Sequence, residues 1–540
     1  MDNAPVRSER RPFSIKLWPP SENTRQMLVV RITDNLTAKS IFTQKYGSLS
    51  IGEAEENAKR IEDSAFAAAN QHYEKEPDGD GGSAVQLYAK ECSKQILEVL
   101  KRGPIKKNEE AVPSEGVAAP SDTVFDISNG PRTFIDATEA EHLLSPLKQP
   151  GNSYSKICFS NRSFGPEAAR VVGPILASVK NQLKEVDLSD FLAGQPEKEA
   201  LEVMCIFSTA LEGSILKSLN LSNNALGEKG VRAFQALLKS QGCLEELYLM
   251  NDGISEEAAQ AVCELIPSTE KLKVIKFHNN MTGDEGAHAI SEVLKHTLLL
   301  EDFQCSSTRV GSAGGIALSK ALENCTHMKK LDLRDNIFGV EAGVALSKAL
   351  SRYAGLNEVY LSYLNLEDEG AIAIANSLKE SAPSLKVLDM AGNDITAEAA
   401  SDLTVCIAAK QHLIKLNLSE NKLKDEGAIQ ISKALEENHL KLKEVDMSTN
   451  SIRRAGARVL AQVVVQKPEF ELLNIDGNYI SDEGIDEMKE IFKKFPNMLG
   501  SLDENDPDGD DDDDDGHSGG EGDEQELESK LENLEVKEDK

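Results

Sequence analysis

The sequence predicts an open α/β solenoid, in which short strands and helices alternate in stacked units. From Lys217, "KSLNLSNNALGEKGVRAFQALL" places leucines at a strand-like spacing before a pair of asparagines, a glycine and a helical pattern. The same shape returns as "EELYLMNDGISEEAAQAVCEL" and continues to ten units. The residue that closes each unit recurs every 28 or 29 residues. We call these residues the closing row: Asn224, Asp252, Asn280, Thr308, Asn336, Leu364, Asn393, Asn421, Asn450 and Asn478.

The residue pattern of each unit predicts a strand, a turn and a helix that pack around one core. Alternate strand residues point inward, and the helix buries an apolar stripe against the next unit. In the first unit the predicted core is Leu216, Leu219, Leu221, Leu226, Val231, Phe234, Leu237 and Leu238. Such units cannot bury their faces alone, so they stack. The period predicts a leucine-rich repeat horseshoe over 153–502, including degenerate units at "YSKICFSNRSFG" and "LKEVDLSDF".

The flanking regions have different patterns. Residues 13–103 predict a separate all-α domain, because "AEENAKRIEDSAFAAANQHY" and "AVQLYAKECSKQILEVLKR" have helical periodicity. Residues 104–130 are polar and rich in Pro, Ser and Gly, which is typical of a linker, and 131–152 lead into the solenoid. Residues 503–540 predict a disordered acidic tail, because they have almost nothing to bury.

Composition narrows the class of partner. The net charge of -32 disfavours a nucleic-acid backbone, and the stretch 503–526 alone has ten Asp, four Glu and no Lys or Arg. The eight scattered cysteines predict reduced thiols in the cytosol or nucleus. No apolar run approaches membrane-spanning length, so we expect a soluble protein without membrane insertion.

The sequence offers no enzyme signature. It lacks G-x-x-x-x-G-K-[ST] and a G-x-S-x-G with suitable triad partners, and its nine histidines have no metal-binding spacing. We therefore expect neither a metal nor a cofactor. From composition alone, the chain is a protein-binding scaffold.

Two adjacent rows of residues bear on where a partner binds. Closing-row asparagines are expected inside the turns, bonded to backbone groups that would otherwise be buried unpaired. The residues just before them form what we call the rim row: Asn223, Asn251, Asn279, Ser307, Asp335, Tyr363, Gly392, Glu420, Thr449 and Gly477. Nothing in packing is expected to demand an amide or an acid there, and a rigid rim suits contact with a partner.

The segment "KLWPPSENTRQMLVVRITDNLT" resembles the start of a WPP domain, a plant nuclear-envelope targeting module. Joined to 28-residue repeats and an acidic tail, it makes the whole chain similar to the plant Ran GTPase-activating proteins. The segments "VDLSDFLAGQPEKEALEV", "LYLMNDGISEEAA" and "LDLRDNIFG" resemble characteristic segments of that family.

The resemblance implies activation in trans, with Ran-GTP as the partner. Ran supplies the P-loop, the magnesium ion and the water-orienting glutamine, while the activator fixes that glutamine without an arginine finger. The chain is then not itself an enzyme, and it needs no cofactor because Ran holds GTP and Mg. Matching motifs gives Asn251 as the key residue, with Asn224 and Asp335 as further candidates. Gln195 stands where relatives commonly have an arginine, which the resemblance implies assists binding, so Gln195 is a candidate Ran contact.

The resemblance also implies a location. Trp18, Pro19 and Pro20 would form a surface that binds coiled-coil anchor proteins of the nuclear envelope, although tryptophan also packs well in a small core. The protein would be cytoplasmic and concentrated at the outer face of the envelope, and during division at the cell plate or other mitotic structures. The acidic tail would attract a basic patch on Ran, in addition to solubilising the chain.

A second function remains open at this stage. A non-catalytic leucine-rich repeat adaptor would bind a protein on its concave face through the same scaffold. Asn251 within "LYLMNDG" favours the activator, and Gln195 favours the adaptor.

Overall fold

The computed structural model describes residues 18–20, 25, 28–29, 31–33, 36, 51–75, 82–102, 124–129 and 132–506. The chain divides into two compact units, Met1–Val117 and Ala118–Lys540, which are described separately. Most of the predicted linker, and the acidic stretch 507–540, lie outside the described residues. Within the described part of the chain, no helix is long and apolar enough to cross a membrane.

The N-terminal unit contains two long helices, α1 (Ile51–Lys75) and α2 (Gly82–Arg102), and both contain the stretches that predicted them. Residues 25, 28–29, 31–33 and 36 are also helical. Small and apolar residues recur along α1 at spacings of three and four, so they form one buried stripe against α2. The buried residues of the two helices include Ala54, Ala58, Ile61, Ala65, Ala69, Ala84, Tyr88, Cys92 and Val99.

In its described residues, the C-terminal unit is a solenoid built on a parallel sheet of thirteen strands. Each strand has three residues, and the middle side chain is buried. The strands are β1 (Val124–Asp126), β3 (Lys156–Cys158), β5 (Glu185–Asp187), β6 (Ser218–Asn220), β7 (Glu246–Tyr248), β8 (Val274–Lys276), β9 (Asp302–Gln304), β10 (Lys330–Asp332), β11 (Glu358–Tyr360), β12 (Val387–Asp389), β13 (Lys415–Asn417), β14 (Glu444–Asp446) and β15 (Leu472–Asn474). Strands β2 (Thr133–Ile135) and β4 (Arg162–Phe164) form a second, two-stranded parallel sheet.

Helices alternate with the strands, as the repeat pattern predicts, and the last helix follows the last strand. They are α3 (Ala137–Leu143), α4 (Pro166–Val179), α5 (Glu197–Leu211), α6 (Gly227–Ala233), α7 (Gln235–Lys239), α8 (Glu256–Leu265), α9 (Gly283–Leu294), α10 (Ser312–Leu322), α11 (Gly339–Leu350), α12 (Glu367–Glu380), α13 (Ala400–Ala409), α14 (Lys424–Glu436), α15 (Arg454–Val464) and α16 (Asp482–Ile491). The single helix expected in the first unit is split at Phe234 into α6 and α7, but Phe234 is still buried.

The solenoid begins earlier than the sequence indicated. Val124–Asp126, which we placed in the linker, is strand β1 and pairs with β3 in parallel register. Phe125 is buried, with its ring centroid 5.5 Å from that of Tyr154 and 6.2 Å from that of Phe159. The expectation of a linker over 104–130 is therefore wrong for 124–126. The segment is a three-residue first strand at the end of a polar stretch, with Phe125 as its buried aromatic side chain.

The solenoid also ends later than expected. Asn505, which we placed in the disordered tail, donates a side-chain N–H to Leu502 O (3.2 Å) and accepts from the backbone N–H of Asn478 (3.0 Å). Asp506 donates its backbone N–H to Asn478 O (2.9 Å). Residues 503–506 thus form a last closing turn, because Asn505 supplies Asn478 with the partner that each closing residue needs.

Candidate functional site

The rim row lies where the chain leaves each strand, and all of its members have a left-handed backbone. The φ angle is 64° at Asn223, 56° at Asn251, 53° at Asn279 and 56° at Asp335. Asn, Asp and Gly tolerate this conformation better than other residues do. The expectation that nothing structural demands an amide or an acid in this row is therefore wrong. The backbone turn accounts for much of the row's composition, so composition alone does not mark a site.

Closing-row asparagines are buried and fully engaged, as predicted. Asn280 is 4% exposed, and its Oδ1 accepts from the backbone N–H groups of Asp252 (3.1 Å) and Ile254 (3.0 Å). Its Nδ2 donates to the carbonyls of Leu249 and Phe277, both at 2.7 Å. One side chain therefore satisfies four backbone groups of two neighbouring units.

Asn224 has the same structural position. Its Oδ1 accepts from Phe191 N (3.0 Å), and its Nδ2 donates to Leu188 O (2.8 Å) and Leu221 O (2.6 Å). The residue is 8% exposed. Its amide is committed to the turn between two units, which separates it from the rim residues that reach solvent.

Asn251 is exposed and forms the centre of a ladder of side-chain amides. Its Nδ2 donates to Asn223 Oδ1 at 2.8 Å, and its Oδ1 accepts from Asn279 Nδ2 at 2.6 Å. A primary amide has two N–H donors and two acceptor lone pairs. Asn251 therefore keeps one donor and one acceptor for a molecule that approaches the rim.

Asn251 and Asp335 line one shallow depression, with a volume of about 580 Å³. Two further members of the rim row, Asn279 and Ser307, also line it. The closing-row residues Asn280 and Asn336 also line it, and residues that follow the closing row provide the rest of the lining, including Met281, Arg309 and Ile337. Met281 is 44% exposed and Ile337 is 63% exposed. The depression thus combines amide and acid groups with two apolar side chains and one arginine.

Comparison with known proteins places this site in a family. RAN GTPase-activating protein 2 of Arabidopsis thaliana is 75% identical over 530 residues, which are 97% of each chain. RAN GTPase-activating protein 1 of the same plant is 61% identical over 537 residues, 99% of each chain. The chain belongs to the Ran GTPase-activating protein family. The Leucine Rich repeat model matches residues 215–234, 324–347, 381–403 and 409–432.

The N-terminal region of this family member matches the WPP domain model over residues 14–110. MFP1 attachment factor 1 of Solanum lycopersicum is 36% identical over 116 residues, which are 21% of this chain and 72% of that protein. The residues matched by the WPP domain model include the Trp-Pro-Pro segment and helices α1 and α2.

Trp18 lies in the core of the WPP domain rather than on its surface. It is 1% exposed, stacks on Phe66 with ring centroids 5.3 Å apart, and donates its indole N–H to Asn70 Oδ1 (3.3 Å). The expectation that Trp18 contributes to a binding surface is therefore wrong, because its ring fills the space between the helices. Pro19 is exposed and Pro20 is half-buried.

The carboxyl group of Glu62 is next to this aromatic core. It accepts from the Arg25 guanidinium at 2.6 and 2.7 Å and from the Tyr88 hydroxyl. Burial acts to raise the pKa of Glu62, but its hydrogen bonds with Arg25 and Tyr88 outweigh burial and lower that pKa. The pair ties Arg25 to α1, so the buried charge of Glu62 is matched by a partner.

Gln195 lies in a second depression of the solenoid, with a volume of about 630 Å³, together with Asn223 and Asn224. Its Nε2 is 3.4 Å from Ser163 Oγ, a long hydrogen bond. Gln195 does not line the depression that contains Asn251 and Asp335. Asn223 connects the two places, because it lines the second depression and also accepts from Asn251.

Asp252 is an acid in a closing row that favours asparagine. Its Oδ1 accepts from Asn224 N (2.8 Å), while its buried Oδ2 has no hydrogen-bond partner in the described part of the chain. Burial raises the pKa of Asp252 well above the usual value for an aspartate. A carboxylate cannot donate to the carbonyls that an asparagine amide would reach, so this turn is less well satisfied than its neighbours.

Tyr363 is the rim-row residue that follows Asp335. Its backbone is left-handed, with a φ of 55°, and its hydroxyl donates to Glu420 Oε1 at 2.5 Å, two units further along. That hydrogen bond, together with partial burial, raises the pKa of Tyr363 to about 12. The ring passes over Gly392, where a Cβ atom would collide with it. A glycine is therefore required at Gly392 for the tyrosine to lie along the rim.

The sequence pattern did not single out the partners of Asn251. Asn223 and Asn279 were members of the rim row, but only the structure shows them in contact with Asn251. Met281, Arg309 and Ile337 were missed because they follow the closing row, where the repeat pattern sets no residue type. The sequence signal that could have found them is a large side chain directly after the closing residue, where the turn exposes it.

Proposed function

We propose that this chain stimulates GTP hydrolysis by Ran and that the rim around Asn251 is the part that acts. The observation that carries the proposal is the exposed Asn251 amide, held between two other amides in the depression that Asp335 also lines. The names of the two Arabidopsis relatives support Ran as the partner, because the identity extends over nearly the whole of both chains.

The proposed mechanism is orientation of a group that belongs to Ran. Ran holds the nucleotide, the magnesium ion and the glutamine that orients the attacking water, and this chain holds none of them. The remaining N–H and lone pair of Asn251 match the carbonyl and amino groups of a glutamine side chain. Fixing that glutamine in its productive geometry lowers the barrier without covalent chemistry by the activator.

Other residues act in binding. Asp335 contacts Ran from the same depression, and Gln195 assists from the neighbouring one. Asn224 supports the turn beneath Asn223 because its amide is buried. The acidic tail attracts a basic patch on Ran, an effect that accelerates association and weakens as salt increases. We propose that no arginine finger is inserted, although Arg309 lines the depression.

We also propose that the WPP domain brings the activator to the nuclear envelope by binding coiled-coil anchor proteins. The likeness to MFP1 attachment factor 1 supports attachment as the role of this domain. The activity then lies at the cytoplasmic face, with relocation to the cell plate or other mitotic structures during division. Fluorescence microscopy of the tagged full chain tests this, and an even cytoplasmic signal without a nuclear rim contradicts it.

The test of activation is single-turnover GTP hydrolysis by Ran with and without the chain. Asn251→Gly is the informative variant, because glycine keeps the left-handed backbone and removes only the amide. We expect stimulation by the unaltered chain and a loss of about 10²–10³-fold in the variant, the scale for one preorganised polar group.

The matched control is Thr449→Gly, a rim-row change with a similar φ of 51° in a distant unit. It is expected to stimulate as the unaltered chain does. If the unaltered chain binds Ran-GTP but does not stimulate hydrolysis, the activator proposal fails and the chain is an adaptor. If Asn251→Gly is fully active, the role given to Asn251 is wrong.

A further inference from the structure

We infer that Asn279 is a positioning residue for Asn251: it fixes which edge of the Asn251 amide carries the donor and which the acceptor. The inference rests on the proposed function and deepens it, because it adds a residue that acts through Asn251. Asn279 lies one unit further along the solenoid, in the same row.

The ladder of amides has a direction. Asn279 donates to Asn251, and Asn251 donates to Asn223, so the amides point the same way. If the Asn251 amide turned by 180°, its N–H groups would face the donor of Asn279 and its oxygen would face the acceptor of Asn223. Both contacts would become unfavourable. The orientation of Asn251 is thus fixed from two sides.

The backbone keeps the three amides in register. Asn223 N donates to Met250 O (2.8 Å), Asn251 N to His278 O (3.0 Å) and Asn279 N to Ser306 O (2.9 Å). Each amide is therefore anchored to the next unit by the same bond. The three φ angles lie between 53° and 64°.

Asp190, which precedes the three amides at the equivalent position of the solenoid, is consistent with the direction in which they donate. Asp190 has the same left-handed backbone, with a φ of 49°, and its N–H donates to Ser222 O (2.9 Å) in the equivalent bond. Its carboxylate, which pairs with Arg132, only accepts hydrogen bonds. A carboxylate at this end of the row favours amides whose donors point toward it, which is the direction observed.

A fixed amide orientation matters for the proposed chemistry. A glutamine side chain is complementary to only one of the two orientations of Asn251 at a given position. Without Asn279, the oxygen of Asn251 loses the donor that favours one orientation of the amide over the other. In a fraction of the complexes with Ran, Asn251 then presents the wrong edge to the glutamine. This lowers the rate in the bound complex rather than the affinity, because the glutamine is one small part of the contact.

The experiment uses Asn279→Gly and Asn279→Asp in the full chain, with Thr449→Gly as the control. Glycine removes the amide and keeps the backbone. Aspartate has the same size as asparagine but no donor, so it places an acceptor against Asn251 Oδ1. The readouts are the single-turnover rate at saturating activator, the affinity for Ran loaded with a non-hydrolysable GTP analogue, and the melting temperature.

We expect Asn279→Gly to lower the saturated rate by about 3–10-fold, the equivalent of one net hydrogen bond. Its affinity and melting temperature should match those of Thr449→Gly. Asn279→Asp should be at least as slow as Asn279→Gly. Combined with Asn251→Gly, the Asn279→Gly change should have no further effect, because the group to be positioned is absent.

Three results would overturn the inference. The first is a saturated rate for either Asn279 variant equal to that of the unaltered chain. The second is a loss of affinity without a loss of rate, which would make Asn279 a direct contact of Ran. The third is an equal loss in the Asn251→Gly background. Failure of the proposed function is distinguishable, because then the unaltered chain itself does not stimulate hydrolysis.

Discussion

The rim row and the closing row consist of consecutive residues with opposite roles. Asn223 is exposed, and its side chain accepts a hydrogen bond from the side chain of Asn251. Asn224 is buried, and its side chain forms hydrogen bonds only with backbone groups. The residue type is the same, and only the direction of the side chain differs. In this repeat, an asparagine is available for a partner when it precedes the closing residue, and it is structural when it is the closing residue.

The N-terminal unit contains a similar contrast, and here the largest effect on stability is expected. Trp18 is buried next to the exposed Pro19, so Trp18→Ala should destabilise the WPP domain by about 3–5 kcal/mol through loss of packing. Calorimetry of the full chain measures the shift in its unfolding transition. Lys90→Ala, an exposed change in α2, is the control and should leave that transition in place. An unchanged transition for Trp18→Ala would contradict the burial of the ring.

Within the solenoid, adjacent variants test the contrast directly. Asn280→Ala leaves the N–H groups of Asp252 and Ile254 and the carbonyl of Phe277 without their side-chain partner. Each unsatisfied buried group costs about 1–3 kcal/mol, so we expect a loss of about 3 kcal/mol or more in urea unfolding. Asn279→Gly, one residue earlier, should stay within about 0.5 kcal/mol. Equal losses in the two variants would end the distinction between the rows.

Asp252 is a closing residue with a carboxyl group where most of the row has an amide. Asp252→Asn supplies an amide donor and removes a buried carboxyl, so we expect a gain of about 1–3 kcal/mol in the free energy of unfolding. The pKa of Asp252 is raised in the folded state, so its contribution to stability is present below the unfolded pKa of about 4 and is lost as pH rises through the folded pKa.

The advantage of Asp252→Asn should therefore increase with pH. Urea unfolding of both chains at pH 5.5 and at pH 8 measures the difference in stability at each pH. All other titrations are common to the two chains and cancel. A gain that is the same at both values, or a loss, would show that the Asp252 carboxyl is not strained by its burial.

The smallest effect is expected at Arg309, in the row that follows the closing row. If catalysis is by orientation of Ran's glutamine, Arg309→Gln should change the saturated rate by less than about 3-fold. An arginine finger contributes about 10³–10⁵-fold. A loss on that scale in the hydrolysis assay, with unchanged affinity for Ran-GTP, would contradict the orientation mechanism. Arg309, and not the amide of Asn251, would then be the catalytic group.

The sequence alone determined the repeat. The period of 28 or 29 residues located ten strands, and the closing asparagines were correctly placed inside the turns. Both follow from local constraints, since alternate apolar residues fix the strand and a buried turn needs an amide. The helices α1 and α2 were found for the same reason. The first and last turns were missed because Val124–Asp126 is only three residues long at the end of a polar stretch, and because Asn505 lies in an acidic stretch.

Which side chains form hydrogen bonds with one another is evident only from the tertiary structure. The sequence spaces Asn223, Asn251 and Asn279 28 residues apart, and only the stacking of units in register brings their amides within hydrogen-bond distance. The left-handed backbone of the rim and the burial of Trp18 were likewise invisible, because φ depends on the turn and burial depends on the helices around the ring. Residue type is local information, whereas availability to a partner depends on what surrounds the side chain.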